Sequence, residues 1–266
     1  MKLLSAEFRP KRLFVGLGIL LFFLVLGGGY ATFIETRWIR IVHLSLSDSP
    51  ALKLVHITDL HHRGDQSYLN KILRLVNELK PDLVCLTGDL VDKDRFLPPV
   101  LAAVELIDAP VFAVPGNWEH WAGVDFSRVD ESCRKTGGAL LANSSVAFRD
   151  RWRIVGIDNV STGNAHVERA FADVRDGDQV IFLTHCPLGI ELVGERRVTL
   201  ALAGHSHGGQ VRLPIVGALV VPNGVGPYER GYYETRTGPL YVNPGIGTWF
   251  VPVRLFCRPE ITVIAL

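Results

Sequence analysis

The pattern of apolar and polar positions divides the chain into two regimes. From 13 to 34 the sequence LFVGLGILLFFLVLGGGYATFI carries no charged residue. That length matches the ~20 residues needed to cross the hydrocarbon of a bilayer. From Ile39 onward, short apolar runs alternate with amphipathic segments. Runs of this kind predict strands at 38–46 (an edge strand), 52–58, 83–87, 111–114, 180–184 and 198–203. A hairpin is expected over 146–157 around Asp150, and short strands at 211–213, 240–242 and 261–266. Between them, Leu69, Ile72, Leu73, Val76 and Leu79 follow the 3.6-residue period of a helix over 68–79, stopped by Lys80-Pro81. Pro98-Pro99 suits the first turn of a second helix, to about Ile107. A third is expected near 126–136, capped by Gly137-Gly138. With no repeat and no long linker, one α/β domain, 35–266, is expected after the apolar segment.

Charge sharpens this division. The whole chain carries 28 Lys and Arg against 27 Asp and Glu, a net +1 that argues against general nucleic-acid binding. Residues 1–40 hold Lys2, Arg9, Lys11, Arg12, Arg37 and Arg40 against only Glu7 and Glu35, so the remainder is net acidic. The expected layout is a basic segment at 1–12, an uncleaved transmembrane anchor at 13–34 and the domain beyond it. A cleaved signal peptide is the alternative. The apolar run is long for one, although Gly27-Gly28-Gly29 and Ala31 offer small residues for cleavage. Basic residues are denser before the anchor than after it, which places the domain on the extracytoplasmic side of the cell membrane. Arg37 and Arg40 leave the cytoplasmic face open. The four cysteines, at 85, 133, 186 and 257, form no Cys-x-x-Cys pair and are expected as buried free thiols.

Five of the apolar runs end in a polar motif. They are Asp59-Leu60-His61, Gly88-Asp89-Leu90-Val91-Asp92, Gly116-Asn117-Trp118-Glu119-His120, His185, and Gly204-His205-Ser206-His207-Gly208-Gly209-Gln210. Ligand sites of α/β sheets form outside the carboxyl ends of strands. In extended backbone, His205 and His207 point the same way and can serve neighbouring metal ions. The donor set of Asp59, His61, Asp89, Asn117, His185, His205 and His207 holds oxygen and imidazole but no thiolate. That suits Mn, Fe or Zn in a catalytic role. Seven ligands suit two ions if one carboxylate bridges. Paired ions ~3.5–4 Å apart serve phosphoryl transfer.

The ordered set resembles the calcineurin-like metallophosphoesterases, whose pattern is D-x-H, GDxxD, GNH[DE], a lone His and GHxH. The match covers 52–210. The continuation Gly208-Gly209-Gln210-Val211-Arg212-Leu213-Pro214, with Tyr241-Val242-Asn243-Pro244-Gly245-Ile246-Gly247 and Pro259-Glu260-Ile261, resembles the family's membrane-anchored bacterial branch. The resemblance implies a four-layer α/β-β-α sandwich and a binuclear metal centre. Asp59, His61, Asp89 and His207 would hold one ion. Asp89 would bridge to a second, held also by Asn117, His185 and His205. It further implies hydrolysis of a phosphoester or pyrophosphate bond by a metal-bridged water. The anchor adds weight to lipid-linked substrates, among them UDP-2,3-diacylglucosamine, a family substrate whose site faces the cytoplasm. The family's nuclease branch lacks support in the charge pattern.

One position departs from the pattern: Trp118 stands where the family has a histidine that faces the substrate phosphate. An indole has a single N–H donor and cannot act as an acid. The enzyme works without that acid, or His120 or His62 replaces it, or activity is lost or redirected. The last option leaves a non-catalytic, metal-containing membrane binding protein as the competing class. Asp92 and His120 are taken as catalytic, Asp92 in a supporting position, and His62 and Trp118 as substrate-binding. His43, His56 and His166 are expected to be structural. Trp121, Trp249 and Phe250 are assigned to core packing, with an apolar shelf for a lipid tail as their other use. Arg212, Arg230 and Arg254 are candidates for pairing with a second phosphate.

Overall fold

A computed structural model describes residues 10–266, with side-chain environments from 14 onward. Most of the basic segment expected at 1–12 therefore lies outside the described residues. Helix α1 (Pro10–Gly29) continues through a π turn, Tyr30–Ile34, and a 3-10 turn, Glu35–Arg37. From Phe14 to Arg37 it is long and apolar enough to cross a membrane, and the rest of the chain covers almost none of it.

The chain then runs through β1 (Arg40–Ser45), β2 (Lys53–Ile57), α2 (Gln66–Glu78), β3 (Leu83–Leu86), α3 (Leu97–Glu105) and β4 (Val111–Ala113). Next come α4 (Asn117–Ala122), α5 (Phe126–Lys135), β5 (Ala139–Leu140), β6 (Ser144–Phe148), β7 (Trp152–Gly156) and α6 (Val167–Ala170). It closes with β8 (Gln179–Leu183), β9 (Leu200–Ala203), β10 (Arg212–Leu213), β11 (Gly217–Ala218), β12 (Gly231–Glu234), β13 (Pro239–Val242) and β14 (Glu260–Ala265). One six-stranded sheet has the order β1-β14-β2-β3-β4-β5, and a second has the order β12-β13-β9-β8-β7-β6. β2, β3, β4 and β5 pair in parallel, as do β7, β8, β9 and β13.

Period-two alternation sorts each strand between two cores. Val55, Val84 and Leu86 face α2, α3 and α5, while Leu54, Leu83 and Cys85 face the other sheet. Ile181, Leu183, Leu200 and Leu202 meet them from that sheet. Phe182, Ala201 and Val155 point outward, to Phe171, Ile190 and Val193. Three apolar layers between four structural layers make the expected α/β-β-α sandwich. The central strands are buried on both faces, which is why they read as unbroken apolar runs.

The short α4 was not legible as a helix, because its six residues are too few to show a period. It is held instead by contacts to one side chain. Glu119 reaches back to accept from the Gly116 amide at 2.8 Å, and Gly123 ends the helix in the left-handed region. All four cysteines are free and buried. His56 is buried against Thr87 Oγ1 at 2.8 Å, whereas His43 and His166 are exposed.

Candidate metal centre

The five polar motifs follow β2, β3, β4, β8 and β9, strands drawn from both sheets. Stacking the sheets face to face brings their carboxyl edges together, and the motifs converge there. Donor atoms of Asp59, His61, Asp89 and His207 lie within 4.8 Å of one another, as do those of Asp89, His185 and His205. Asp89 belongs to both groups. Its Oδ2 sits 3.5 Å from His61 Nε2 and 3.2 Å from His185 Nε2. His207 Nε2 is 3.2 Å from His61 Nε2 and 3.3 Å from Asp59 Oδ1. Asn117 Oδ1 and His205 Nδ1 each approach His185 Nε2 to 3.0 Å.

These spacings have a chemical meaning. Ligands about 2.0–2.2 Å from a shared cation stand roughly 3 Å apart. Asp59 Oδ1 is buried and has no hydrogen-bond partner, which a cation would supply. The cluster fits two divalent metal ions.

Three of the four imidazoles are turned by the group behind them, while His207 Nδ1 has no hydrogen-bond partner. His61 Nδ1 lies 2.6 Å from Asp92 Oδ1, His185 Nδ1 lies 2.6 Å from the Thr87 carbonyl, and His205 Nε2 lies 2.7 Å from the Asn223 carbonyl. In each case the outer nitrogen donates, so the tautomer assigned from this network leaves the inner nitrogen free as a ligand. Carboxylates are fixed in the same way. Asp59 Oδ2 accepts from the His205 amide at 3.0 Å, and Asp89 Oδ1 from the Trp118 amide at 2.9 Å.

The backbone bends to achieve this. Asp59, His61, Asp89, His205 and His207 all have φ between 42° and 64°. Such conformations cost non-glycine residues of order 1–3 kcal/mol and persist only where the surroundings enforce them. Gly88 and Gly116 permit the close approach of two loops. A Cβ on Gly88 would stand 2.5 Å from the Gly116 amide, and one on Gly116 would collide with the Asp89 carboxylate.

Electrostatics follow the geometry. Burial alone would raise Asp89, but His185, His61 and His205 outweigh it and hold its pKa down at about 2. Burial, helped by His185, pushes His205 down to about 4, so it stays neutral and able to ligate. Burial and the facing His61 likewise hold His207 well below the usual histidine range.

The other expected site residues fare differently. Asp92 reaches no reacting position. It braces His61 and is itself held by Arg63 Nε. His120 does not enter the cluster. Its Nε2 lies 2.6 Å from Asp158 Oδ1 and its ring packs on Phe126. His62 packs edge-on against Phe96 and, with His61, lines a cleft of about 350 Å3 between the end of the apolar helix and the domain. Trp118 roofs the centre, edge-on to His61 with ring centroids 5.4 Å apart.

The assignment of Trp121 and Phe250 to core packing is corrected: they are 63% and 67% exposed. With the half-buried Trp249, which stacks on His207, they form an aromatic shelf around Trp118. Arg254 is also corrected. It is fully buried, and its guanidinium donates to carbonyls of Pro244, Gly245, Gly247 and Cys257, leaving nothing for phosphate. Arg212 is engaged by the Gly208 carbonyl and Glu229, while Arg230 stays exposed.

Glu119 is the contributor that the sequence did not reveal. Its buried carboxylate accepts from the amides of Asp89 (2.8 Å), Leu90 (2.6 Å) and Gly116 (2.8 Å), locking the Asp89 loop to α4. Its place beside Asn117 in the motif was the available signal.

Comparison with known proteins agrees with this geometry. A family model described as calcineurin-like phosphoesterase matches residues 52–209. The chain is 29% identical over 258 residues to the uncharacterized metallophosphoesterase YkuE of Bacillus subtilis, covering 90% of each. It is 28% identical over 255 residues to the phosphodiesterase YaeI of Escherichia coli, covering 90% of this chain and 93% of that one. A transmembrane protein with metallophosphoesterase domain from Danio rerio is 30% identical over 237 residues, 81% of this chain and 53% of that longer protein.

Proposed function

The chain belongs to the calcineurin-like phosphoesterase family, a metal-dependent phosphoester hydrolase by membership, and on that premise we propose that it is a membrane-anchored binuclear enzyme acting on phosphodiester or pyrophosphate bonds, its substrate carried on a lipid. One observation carries the binuclear reading. The inner atoms of six side chains converge, Asn117 Oδ1 joins them 3.0 Å from His185 Nε2, and a single oxygen, Asp89 Oδ2, lies between two histidines of different groups. Asp59, His61, Asp89 and His207 would hold one ion, and Asp89, Asn117, His185 and His205 the other. When bound, the pair would supply Lewis acidity and neutralise phosphate charge.

The protein's own residues do the rest. Glu119 fixes Asp89 relative to Asn117. Asp92 sets the direction of His61, so Asp92→Asn is expected to weaken Mn2+ binding by about 10–100-fold, measured by titration of the metal-free protein. Unchanged affinity would remove Asp92 from that role. Trp118 shields the centre from water but offers no acid. Of the two histidines nearest in sequence, His120 is committed to Asp158, whereas His62, its Nε2 without a hydrogen-bond partner, lines a cleft that His61 lines as well. The reading in which the enzyme works without that acid is therefore supported over replacement by His120.

Such a site suits leaving groups that depart as stable anions. A pyrophosphate-linked lipid such as UDP-2,3-diacylglucosamine fits this, because its leaving group is a phosphate monoester; it also requires the domain to face the cytoplasm. Trp118→His is expected to raise turnover of alkyl phosphodiesters by about 10²-fold, the lower end of what a general acid contributes, and to change turnover of bis-p-nitrophenyl phosphate little. Equal effects on both substrates would remove the missing-acid account. The non-catalytic alternative rested on Trp118 alone, and family membership weighs against it.

The anchor reading, with residues 13–34 in the bilayer and 35–266 as the catalytic domain, draws support from the apolar helix and from the relative named for its membrane segment. Phosphodiesterase activity of the full chain with Mn2+, lost on chelation and recovered in the membrane fraction, is the expected result. Activity indifferent to chelation would contradict the metal reading.

A further inference from the structure

We propose that the rim of the metal centre is seated in the lipid interface, so that the site opens toward the headgroup layer beside the anchor. The proposal rests on the anchor reading and adds to it a second, non-helical contact with the bilayer. Two neighbouring loops carry it. Segment 249–256 exposes Phe250, Val251 and Phe256, and the β10–β11 hairpin exposes Leu213, Ile215 and Val216. Single exposed apolar residues are ordinary, but a contiguous group marks an interaction surface.

The occupant is argued from continuity with the apolar helix. The Arg254 amide donates to the Ala31 carbonyl at 2.9 Å, and the Cys257 amide to the buried Glu35 carboxylate at 2.6 Å. The end of the helix is thus fixed to residues 254–257 by one backbone and one side-chain contact. The same loop carries the hairpin: the Arg212 amide donates to the Leu255 carbonyl at 2.9 Å, and the Leu255 amide to the Gln210 carbonyl at 3.0 Å. Phe33 and Pro252 wall one cavity. Helix, loop and hairpin form one block, and a helix crossing a bilayer brings the two exposed loops to its surface.

Cations border the apolar residues. Arg258 lies 4.0 Å over the Trp38 ring, Lys71 Nζ donates to the Arg37 carbonyl, and Arg230 donates to the Phe256 carbonyl. Aromatic residues mixed with basic ones are typical of the interfacial layer and of contact with anionic headgroups.

The rim also touches the chemistry. Trp249 stacks on His207, Phe250 packs on Trp118, and Gln210 Nε2 donates to the Val251 carbonyl at 2.8 Å. Seating Phe250 and Val251 in the interface sets the mouth of the centre at headgroup depth. A phosphoester on a lipid headgroup could then reach it by lateral diffusion.

The test uses the full chain in phosphatidylcholine–phosphatidylglycerol vesicles, with a bimane probe at Ile215→Cys, Val251→Cys or Asp150→Cys. The native cysteines are buried, and Asp150, in the turn before β7, lies at the opposite end of the strands from the site. Insertion 5–10 Å deep predicts loss of about half or more of the emission at 215 and 251 with bromolipid vesicles, and none at 150. Protein that floats with vesicles while 215 and 251 respond only to aqueous iodide would overturn the rim and leave the anchor standing. Protein that fails to float would overturn both. Probes shielded from iodide and bromolipid alike would mean a protein partner or a second copy covers the rim, which also contradicts the proposal.

Discussion

Asp89→Asn is expected to lower Mn2+-dependent hydrolysis of bis-p-nitrophenyl phosphate by about 10³-fold or more, equivalent to about 4 kcal/mol of transition-state stabilisation. Asp89 is the one residue shared by both donor groups. Its Oδ2 faces His61 and His185, and its Oδ1 accepts from the Trp118 amide. The amide replaces an anion between two candidate cation positions by a neutral group, or presents an NH2 that cannot ligate. The fold should survive, because Asn has the same shape and can still accept from Trp118. The check is turnover together with metal content and circular dichroism. A loss of tenfold or less at full folding would mean that Asp89 is not the bridge.

Arg254→Leu is expected to destabilise the protein by at least about 4 kcal/mol. The guanidinium is buried and donates to four carbonyls, and each acceptor left unpaired costs about 1–3 kcal/mol. That is a large share of the 5–15 kcal/mol typical of domains. The damage would reach the site as well, because the stapled loop packs on the candidate ligand Asp59. The Gly247 amide donates to the Asp59 carbonyl at 2.6 Å, and a Cβ on Gly245 would stand 2.7 Å from Asp59 Cβ. Arg254→Lys, which keeps a charge but fewer donors, should fall between. The urea midpoint measures the effect. A midpoint for Arg254→Leu equal to that of the wild type would show that other contacts hold the loop.

The reach of the sequence can be judged residue by residue. The strands were legible because burial on both faces leaves runs such as Leu83–Leu86 wholly apolar, and the candidate ligands because each sits where such a run stops. Local spacing could not have placed His62, because Asp59 and His61 leave extended backbone for left-handed φ. His120 was not legible. Its partner, Asp158, comes from another sheet through a contact 38 residues away. Arg254 and Glu119 share that property, as each is defined by the loops folded around it. The aromatic shelf was misjudged for a simpler reason. Large aromatics are usually buried, and nothing in the local sequence marks Trp121 and Phe250 as exposed.

Two metal ions sharing Asp89 would leave a direct signature in metal content. The most direct measurement is the Mn2+ stoichiometry of the purified full-length enzyme, followed by titration while activity is recorded. Two ions per active chain are expected, magnetically coupled in electron paramagnetic resonance, with activity appearing as the second site fills. Full activity at one uncoupled ion per chain, or with none, would contradict that expectation.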